Sequence, residues 1–214
     1  MQNAAMMKMV GTVGVALTLF NLLFALHGMG PLDFWWGLAG NIAVLAVLAL
    51  LADRKLAGRL RADVAAGVGR KLLLGMGSAL ALWLAFKLGF LAWRHILPAA
   101  AAQAQSVYDL RSLAATWRVV LLVALVIGPG EELFWRCFVQ ERLMARCGAA
   151  AGWPLAAIPY ALAHVATLNP SLLIAALIAG LAWGWLYLRY RSWLLNAVSH
   201  TVWDLLVLFV FPLQ

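Results

Sequence analysis

Two adjacent carboxylates and an arginine lie in a stretch of the chain that is otherwise apolar. The segment GPGEELFWRCF, residues 128–138, follows the apolar run VVLLVALVI and contains Glu131, Glu132 and Arg136. On a helix, Glu132 and Arg136 are four residues apart and share a face, so they can form an ion pair. Glu131 is rotated about 100° away and has no local partner. The spacing therefore predicts one carboxylate that supports the helix and one that is left for chemistry.

Three further ionisable residues occur in apolar segments nearer the C-terminus. PYALAHVATLNP contains His164, and LLNAVSHTVWDLL contains His200 and Asp204, again four residues apart. A lone histidine is more often a hydrogen-bonded residue than a catalyst, and a His–Asp pair can simply be a satisfied buried pair. At a rise of about 1.5 Å per residue, however, these groups and Glu131 can lie in one layer. Two carboxylates and two imidazoles in one layer suit the activation of water, either directly or through a metal ion.

Other chemistries leave marks that this sequence lacks. It contains neither an HExxH zinc motif nor a GxGD motif. Ser78, in GMGSAL, lies among small residues typical of helix packing. Lys87 is interpreted as a residue that snorkels or pairs within the helix bundle. Cys137 and Cys147 fit neither a disulfide framework nor a CxxC metal site.

Composition predicts an integral membrane protein. Hydrophobic residues make up 65% of the 214 residues, charged residues only 11%, and the mean hydropathy is +0.92. A soluble domain of this size cannot hide such an apolar fraction. An ionisable group at membrane depth costs about 2.5–3.5 kcal/mol, which makes each one a candidate for function. The net charge of +8 is interpreted as a topology signal, so no nucleic-acid partner is predicted.

The apolar segments predict an all-α, polytopic membrane helix bundle with its N-terminus in the cytoplasm. The first segment is interpreted as an uncleaved span, and Pro129 is predicted to divide the fourth, which is too long for one straight helix. Most loop Lys and Arg residues then fall on the cytoplasmic side, and only Arg94, Arg111 and Arg118 on the other. The predicted spans are 9–27, 34–52, 71–97, 115–146, 153–168, 171–189 and 193–212.

Three short motifs resemble those of a known family. EELFWR is similar to the EExxxR motif of the CPBP intramembrane proteases, also called the CAAX-protease and bacteriocin-processing, or Abi, family. YALAH resembles its FxxxH motif, with Tyr160 in place of Phe, and HTVWD resembles its HxxxN motif, with Asp204 where Asn is common. The order and spacing of the motifs also fit, and the resemblance covers about residues 115–212.

The resemblance implies an intramembrane endopeptidase that hydrolyses a peptide bond without a covalent intermediate. It implies that Glu131 is the general base and that His164 helps to hold and polarise the water. It also implies that Glu132 pairs with Arg136 and supports the site. The ring of Tyr160 fills similar space to the Phe of the motif and adds a hydroxyl.

The resemblance further implies that His200 and the residue at position 204 stabilise the oxyanion. Asn can donate a hydrogen bond, but an ionised Asp cannot. Asp204 must therefore be protonated, orient His200, or bind a metal. The family was long described as metal-dependent, and a metal-free glutamate mechanism is now favoured. No cofactor is therefore favoured, and a divalent metal ion held by Glu131, His164, His200 and Asp204 stays the alternative.

These arguments divide the chain into residues 1–114, N-terminal membrane helices with a basic cytoplasmic loop, and residues 115–214, a CPBP-like catalytic helix core. The predicted function is endopeptidase action on a membrane-associated or lipidated protein or peptide, within a prokaryotic cytoplasmic (inner) membrane. Two alternatives stay open: a non-catalytic immunity or scaffold protein of the same fold, and a proton-coupled transporter. The sequence shows no repeat symmetry of the transporter kind. It makes no prediction of the oligomeric state.

Overall fold

The computed structural model describes residues 2–213 and is almost entirely helical over that range. A short antiparallel hairpin, Gly28–Met29 with Leu32–Asp33, joins the first two helices. The helices in chain order are α1 (Gln2–Leu26), α2 (Phe34–Ala52), α3 (Leu56–Ala65), α4 (Val68–Ile96), α5 (Ala100–Ser112), α6 (Thr116–Cys147), α7 (Ala149–Leu162), α8 (Pro170–Tyr190) and α9 (Trp193–Val210), with a 3-10 turn at Val165–Thr167.

Helices long and apolar enough to cross a membrane agree with the predicted spans. Six qualify on their own: α1, α2, α4, α8, α9, and α7 together with its 3-10 turn. A seventh span results if α6 is counted with α5, from which it is bent by 99°. The prediction of an all-α bundle with about seven spans is confirmed. The cytoplasmic position of the N-terminus stays a prediction.

Polar side chains cap the starts of three helices, α2, α8 and α9. Asp33 Oδ1 accepts hydrogen bonds from the backbone N–H groups of Trp35 and Trp36 at the start of α2. Asn169 and Ser192 cap α8 and α9 in the same way. Such caps satisfy backbone donors that a helix leaves unpaired at its first turn. The short, capped turn at Arg191–Ser192 places α9 directly beside α8.

The prediction that Pro129 divides the fourth segment is wrong, because residues 116–147 form one continuous helix. Two π-helical stretches, Val123–Ile127 and Leu133–Gln140, flank a short α-helical stretch at Gly128–Glu132. Pro129 lies in the first turn of that stretch, where its missing N–H is tolerated. Its carbonyl accepts a hydrogen bond from Trp193 Nε1 at 2.9 Å. The π-helical turns thus absorb the proline without a break.

The centre of α6 is the core of the bundle. Every residue of Leu133–Gln140 is buried. α9 packs against both α4 and the Gly128–Glu132 part of α6, and α7 packs against α8. The crossing of α6 and α9 is so close that a Cβ atom at Gly128 would collide with Thr201 Oγ1. This contact brings the polar residues of α6 and α9 together, with α7 and its histidine on the other side.

Candidate active site

A cavity of about 410 Å³ contains the polar residues that the sequence singled out. Glu131 from α6, Tyr160 and His164 from the end of α7, and His200 and Asp204 from α9 all line it. The remaining wall is mainly apolar and comes from α1, α2, α4, α5 and α8. The bundle therefore brings the four residues predicted to form one layer into a common space.

Glu131 is the carboxylate that faces this cavity. It is only 5% exposed, and no hydrogen-bond donor within residues 2–213 contacts its Oε2 atom. A buried carboxylate oxygen without a partner is costly. The Glu131 side chain also lines the cavity, where water or a bound group can meet its exposed part. Glu131 is therefore placed to interact with whatever enters.

His164 is held in one tautomer. Its Nδ1 atom lies 3.0 Å from the backbone carbonyl oxygen of Tyr160. Because a carbonyl only accepts, Nδ1 carries the proton, and Nε2 of the neutral ring is left as an acceptor. The rings of Phe24 and Tyr160 pack against the imidazole, with centroids 5.3 and 5.5 Å away. The side chain that reaches the cavity is thus fixed both in position and in its hydrogen-bonding role.

His200 is oriented by Glu132. Its Nδ1 atom donates to Glu132 Oε1 at 2.8 Å, and both side chains are buried. The indole of Trp183 stacks on the imidazole, with centroids 3.8 Å apart and planes 20° apart. These two contacts fix the ring and leave Nε2 as the nitrogen on the Asp204 side. Glu132 therefore has a second role beside the ion pair that its spacing predicted.

Asp204 lies within ion-pair distance of His200 but makes no hydrogen bond to it, and its role among the three that the sequence allowed stays a prediction. Its Oδ2 atom is 3.6 Å from His200 Nε2, beyond hydrogen-bonding distance, and Nδ1 already bonds to Glu132. Asp204 lines the cavity and keeps 17% of its side chain exposed. It is thus available to a bound group as well as to His200.

Arg136 completes the support behind Glu132. Its Nε atom lies 3.3 Å from Glu132 Oε2, and both side chains are 0% exposed. The guanidinium also lies over the ring of Tyr160, 4.9 Å from its centroid. A cation over an aromatic face is stabilised electrostatically. Tyr160 therefore links the two halves of the site, through its ring to Arg136 and through its carbonyl to His164.

Asn196 is a supporting residue that sequence reasoning missed. Its Nδ2 group donates to Glu132 Oε2 at 2.9 Å and to the carbonyl oxygen of Trp183 at 2.8 Å. Asn196 lies four residues before His200 in LLNAVSH, on the same face of α9. An amide in an apolar span, in register with a histidine, was the signal that could have found it. It fixes the carboxylate that in turn fixes His200.

The described residues do not form a ready metal site. Within residues 2–213, no group of three or more His, Cys, Asp or Glu side chains is arranged to hold a metal ion. Glu131, His164, His200 and Asp204 all line the cavity, so they are the residues that would hold a metal ion if one binds.

One family model matches the part of the chain that contains the site. Residues 113–206 match the model described as type II CAAX prenyl endopeptidase Rce1-like. The match includes every site residue named above and is consistent with the CPBP family, so the resemblance seen in the motifs is confirmed. The matched family is a protease family, and together with the apolar helices it supports an integral membrane protein. Comparison with curated proteins and with solved structures gave no match.

Proposed function

We propose that this chain, which over residues 113–206 matches the Rce1-like type II CAAX prenyl endopeptidases, is an intramembrane endopeptidase that uses a water activated by Glu131 and His164. One observation carries the proposal. A buried carboxylate oxygen without a protein partner shares a mainly apolar cavity with two histidines of fixed orientation. Burying such a carboxylate costs free energy. A function in binding or activating a molecule that enters the cavity explains why the chain keeps it.

The hydrolytic step uses Glu131 as general base. Its carboxylate takes one proton from a water, and the hydroxyl oxygen adds to the carbonyl carbon of the scissile peptide bond. His164 Nε2, an acceptor in the neutral ring, holds the second hydrogen of that water. When the tetrahedral intermediate collapses, the C–N bond breaks and the proton passes from Glu131 to the leaving nitrogen. The products are a carboxylic acid and an amine, and Glu131 returns to its starting state.

His200 is the proposed donor to the oxyanion. Its Nδ1–H is used by Glu132, so the bond to the oxyanion must come from Nε2. Nε2 can donate only when both ring nitrogens carry protons. Glu132 and Asp204 are the two carboxylates near the ring that balance the resulting charge. A donor fixed before the reaction stabilises the transition state without reorganisation cost.

The walls of the cavity support the proposed substrate class. The apolar lining from α2, α4 and α8 suits a peptide that reaches the site from the bilayer, either through a lipid group or through its own apolar residues. We therefore propose a membrane-associated or lipidated protein or peptide as the substrate and the lipid bilayer of a prokaryotic inner membrane as the setting. A non-catalytic binding role is the alternative that the test distinguishes from hydrolysis.

The proposed function is tested by comparing peptide termini in membranes of the native host. Membranes that contain the wild type should contain a new C-terminus in a membrane-associated protein, detected by mass spectrometry. Membranes that contain Glu131→Gln should accumulate the uncleaved form. Glu141→Gln is the matched control, because this carboxylate lies on the same helix but binds Tyr187 and Arg191 and does not line the cavity. A binding role would be favoured if all three membranes contain identical peptide termini. In that case Glu131→Gln should also replace the wild type in a host strain that lacks the protein.

Asp204→Asn tests the residue that departs from the common motif. An amide keeps the shape of the side chain and can donate to the oxyanion, so we expect activity within about tenfold of the wild type. Asp204→Leu leaves neither an amide donor nor a carboxylate that balances the charge of His200, and the weaker stabilisation of the oxyanion is expected to reduce kcat by about 10²- to 10³-fold. Both variants are compared in the same cleavage assay. A dead Asn variant, together with one equivalent of metal in the purified wild type, would instead assign Asp204 to a metal.

A further inference from the structure

The segment that follows α9 is held by side chains of α4. Trp83 Nε1 donates to the carbonyl oxygen of Phe211 at 2.9 Å. Lys87 Nζ donates to the carbonyl oxygens of Pro212 and Leu213, at 3.2 and 3.1 Å. This contact gives Lys87, a charged residue within an apolar span, a pair of strong acceptors. α4 thus binds three backbone carbonyl groups of the segment, and the ring of Trp83 also packs against the ring of Phe211, with centroids 5.6 Å apart.

A second helix, α5, also contacts this segment. The backbone N–H of Leu213 donates to Tyr108 Oη of α5 at 2.8 Å. Leu213 and Tyr108 both line the cavity that contains Glu131. The segment thus reaches the candidate active site through Leu213, and α4 and α5 both hold its backbone.

We propose that Trp83, Lys87 and Tyr108 form a binding site for an extended peptide backbone, here called the backbone site. Residues 211–213 occupy the backbone site in the resting protein, and a substrate peptide binds by displacing them. The site is built for a peptide that presents three successive carbonyl acceptors, a backbone N–H and an apolar side chain in the position of Leu213. None of the three side chains lies within residues 113–206, the segment that matches the family model.

The chemistry of the contacts explains why a foreign peptide can replace the segment. Carbonyl and N–H groups occur in every peptide, so the donors do not depend on the sequence Phe211–Leu213. Two of the acceptors of Lys87 Nζ are backbone carbonyl groups, and a bound peptide offers the same groups. Because the occupant is covalently part of the chain, it competes at a high effective concentration. Removing it should raise the apparent affinity for a peptide.

The first experiment measures that competition by binding alone. The probe is fluorescein-labelled Phe-Pro-Leu amide, and its anisotropy is titrated with full-length protein in nanodiscs. Leu213→Asp cannot enter the apolar cavity, and we expect it to lower the apparent Kd about tenfold, as for a site that is occupied about nine-tenths of the time in the wild type. Leu113→Asp is the matched control, because Leu113 is exposed and does not line the cavity. Leu213→Asn, a milder change, should shift the Kd in the same direction if Leu213→Asp folds poorly.

The second experiment tests the donors in the Leu213→Asp chain. Lys87→Gln removes a charged donor, and we expect the probe to bind about tenfold more weakly, whereas Lys87→Arg should stay within about threefold. Equal Kd values for wild type, Leu213→Asp and Leu213→Asn would overturn the displacement. An unchanged Kd in Lys87→Gln would overturn the backbone site.

The backbone site does not depend on the proposed function. Only the claim that the peptide bound there is a substrate rests on it. Tight probe binding by a wild type that cleaves nothing would keep the backbone site and reject the protease. Cleavage by the wild type, together with a Kd that is unchanged in Leu213→Asp and Leu213→Asn, would keep the protease and reject the displacement.

Discussion

Replacing Glu131 with Gln is expected to reduce the rate of peptide-bond hydrolysis by about 10²- to 10⁴-fold, the usual contribution of a general base. Gln has nearly the same shape, so water and peptide can still enter the cavity, but its amide cannot take a proton from water. The melting temperature of the variant should be equal to or higher than that of the wild type. The reason is that Glu131 Oε2 is buried without a partner, and a neutral amide costs less to bury than a carboxylate.

The measurement is a single-turnover cleavage assay together with thermal unfolding in the same detergent. Loss of activity with retained or increased stability is typical of a group kept for chemistry rather than for folding. Glu141→Gln serves as control and should keep its activity, since Glu141 lies outside the cavity. Cleavage by Glu131→Gln within tenfold of the wild-type rate would reject Glu131 as the base.

Replacing Arg136 with Ala is expected to lower the free energy of unfolding by about 3–5 kcal/mol and to reduce the folded yield sharply. Such a loss is typical when one partner of a buried ion pair is removed, because the other charge is left uncompensated. Arg136 and Glu132 are both 0% exposed. The substitution also removes the guanidinium that lies over the ring of Tyr160. Arg191→Ala is the matched control, since its partner Glu141 is also on α6 but the pair is half-exposed. That loss should be at most about 1 kcal/mol.

A double variant separates support from catalysis. Changing Glu132 and Arg136 together to Met removes both charges, and replacing a whole buried pair by apolar residues is often close to neutral for stability. We therefore expect the double variant to recover the folded yield that Arg136→Ala loses. It should still be inactive, because His200 Nδ1 loses the carboxylate that orients it. An active double variant would show that the orientation of His200 does not depend on Glu132.

The site residues that the sequence identified were all found from composition and from spacing within a single helix. An apolar composition determines that the helices lie in a membrane, since no soluble fold hides such a surface. Spacing of four residues predicted the ion pair of Glu132 with Arg136 and the proximity of His200 to Asp204, and both are present. Glu131 is rotated about 100° from the helix face that Glu132 and Arg136 share, and this rotation predicted that it would lack a local partner.

Local patterns also had limits within a single helix. A proline reads as a break because it removes one backbone donor, yet α6 continues through Pro129. Two π-helical stretches re-register the backbone around it, and Trp193 of α9 bonds to its carbonyl. The propensity of one residue was overridden by turns on either side and by a neighbouring helix.

What only the tertiary structure decided were the contacts between helices. Helical periodicity fixes which residues share a face of one helix, but it carries no information about the rotation of that face against another helix. The hydrogen bonds of His200 and Asn196 to Glu132, and those of Lys87 to residues 212–213, all join segments that are far apart in sequence. The sequence by itself thus determined a membrane bundle and the residues with chemical potential. Packing decided which carboxylate orients a histidine and which one is left facing the cavity.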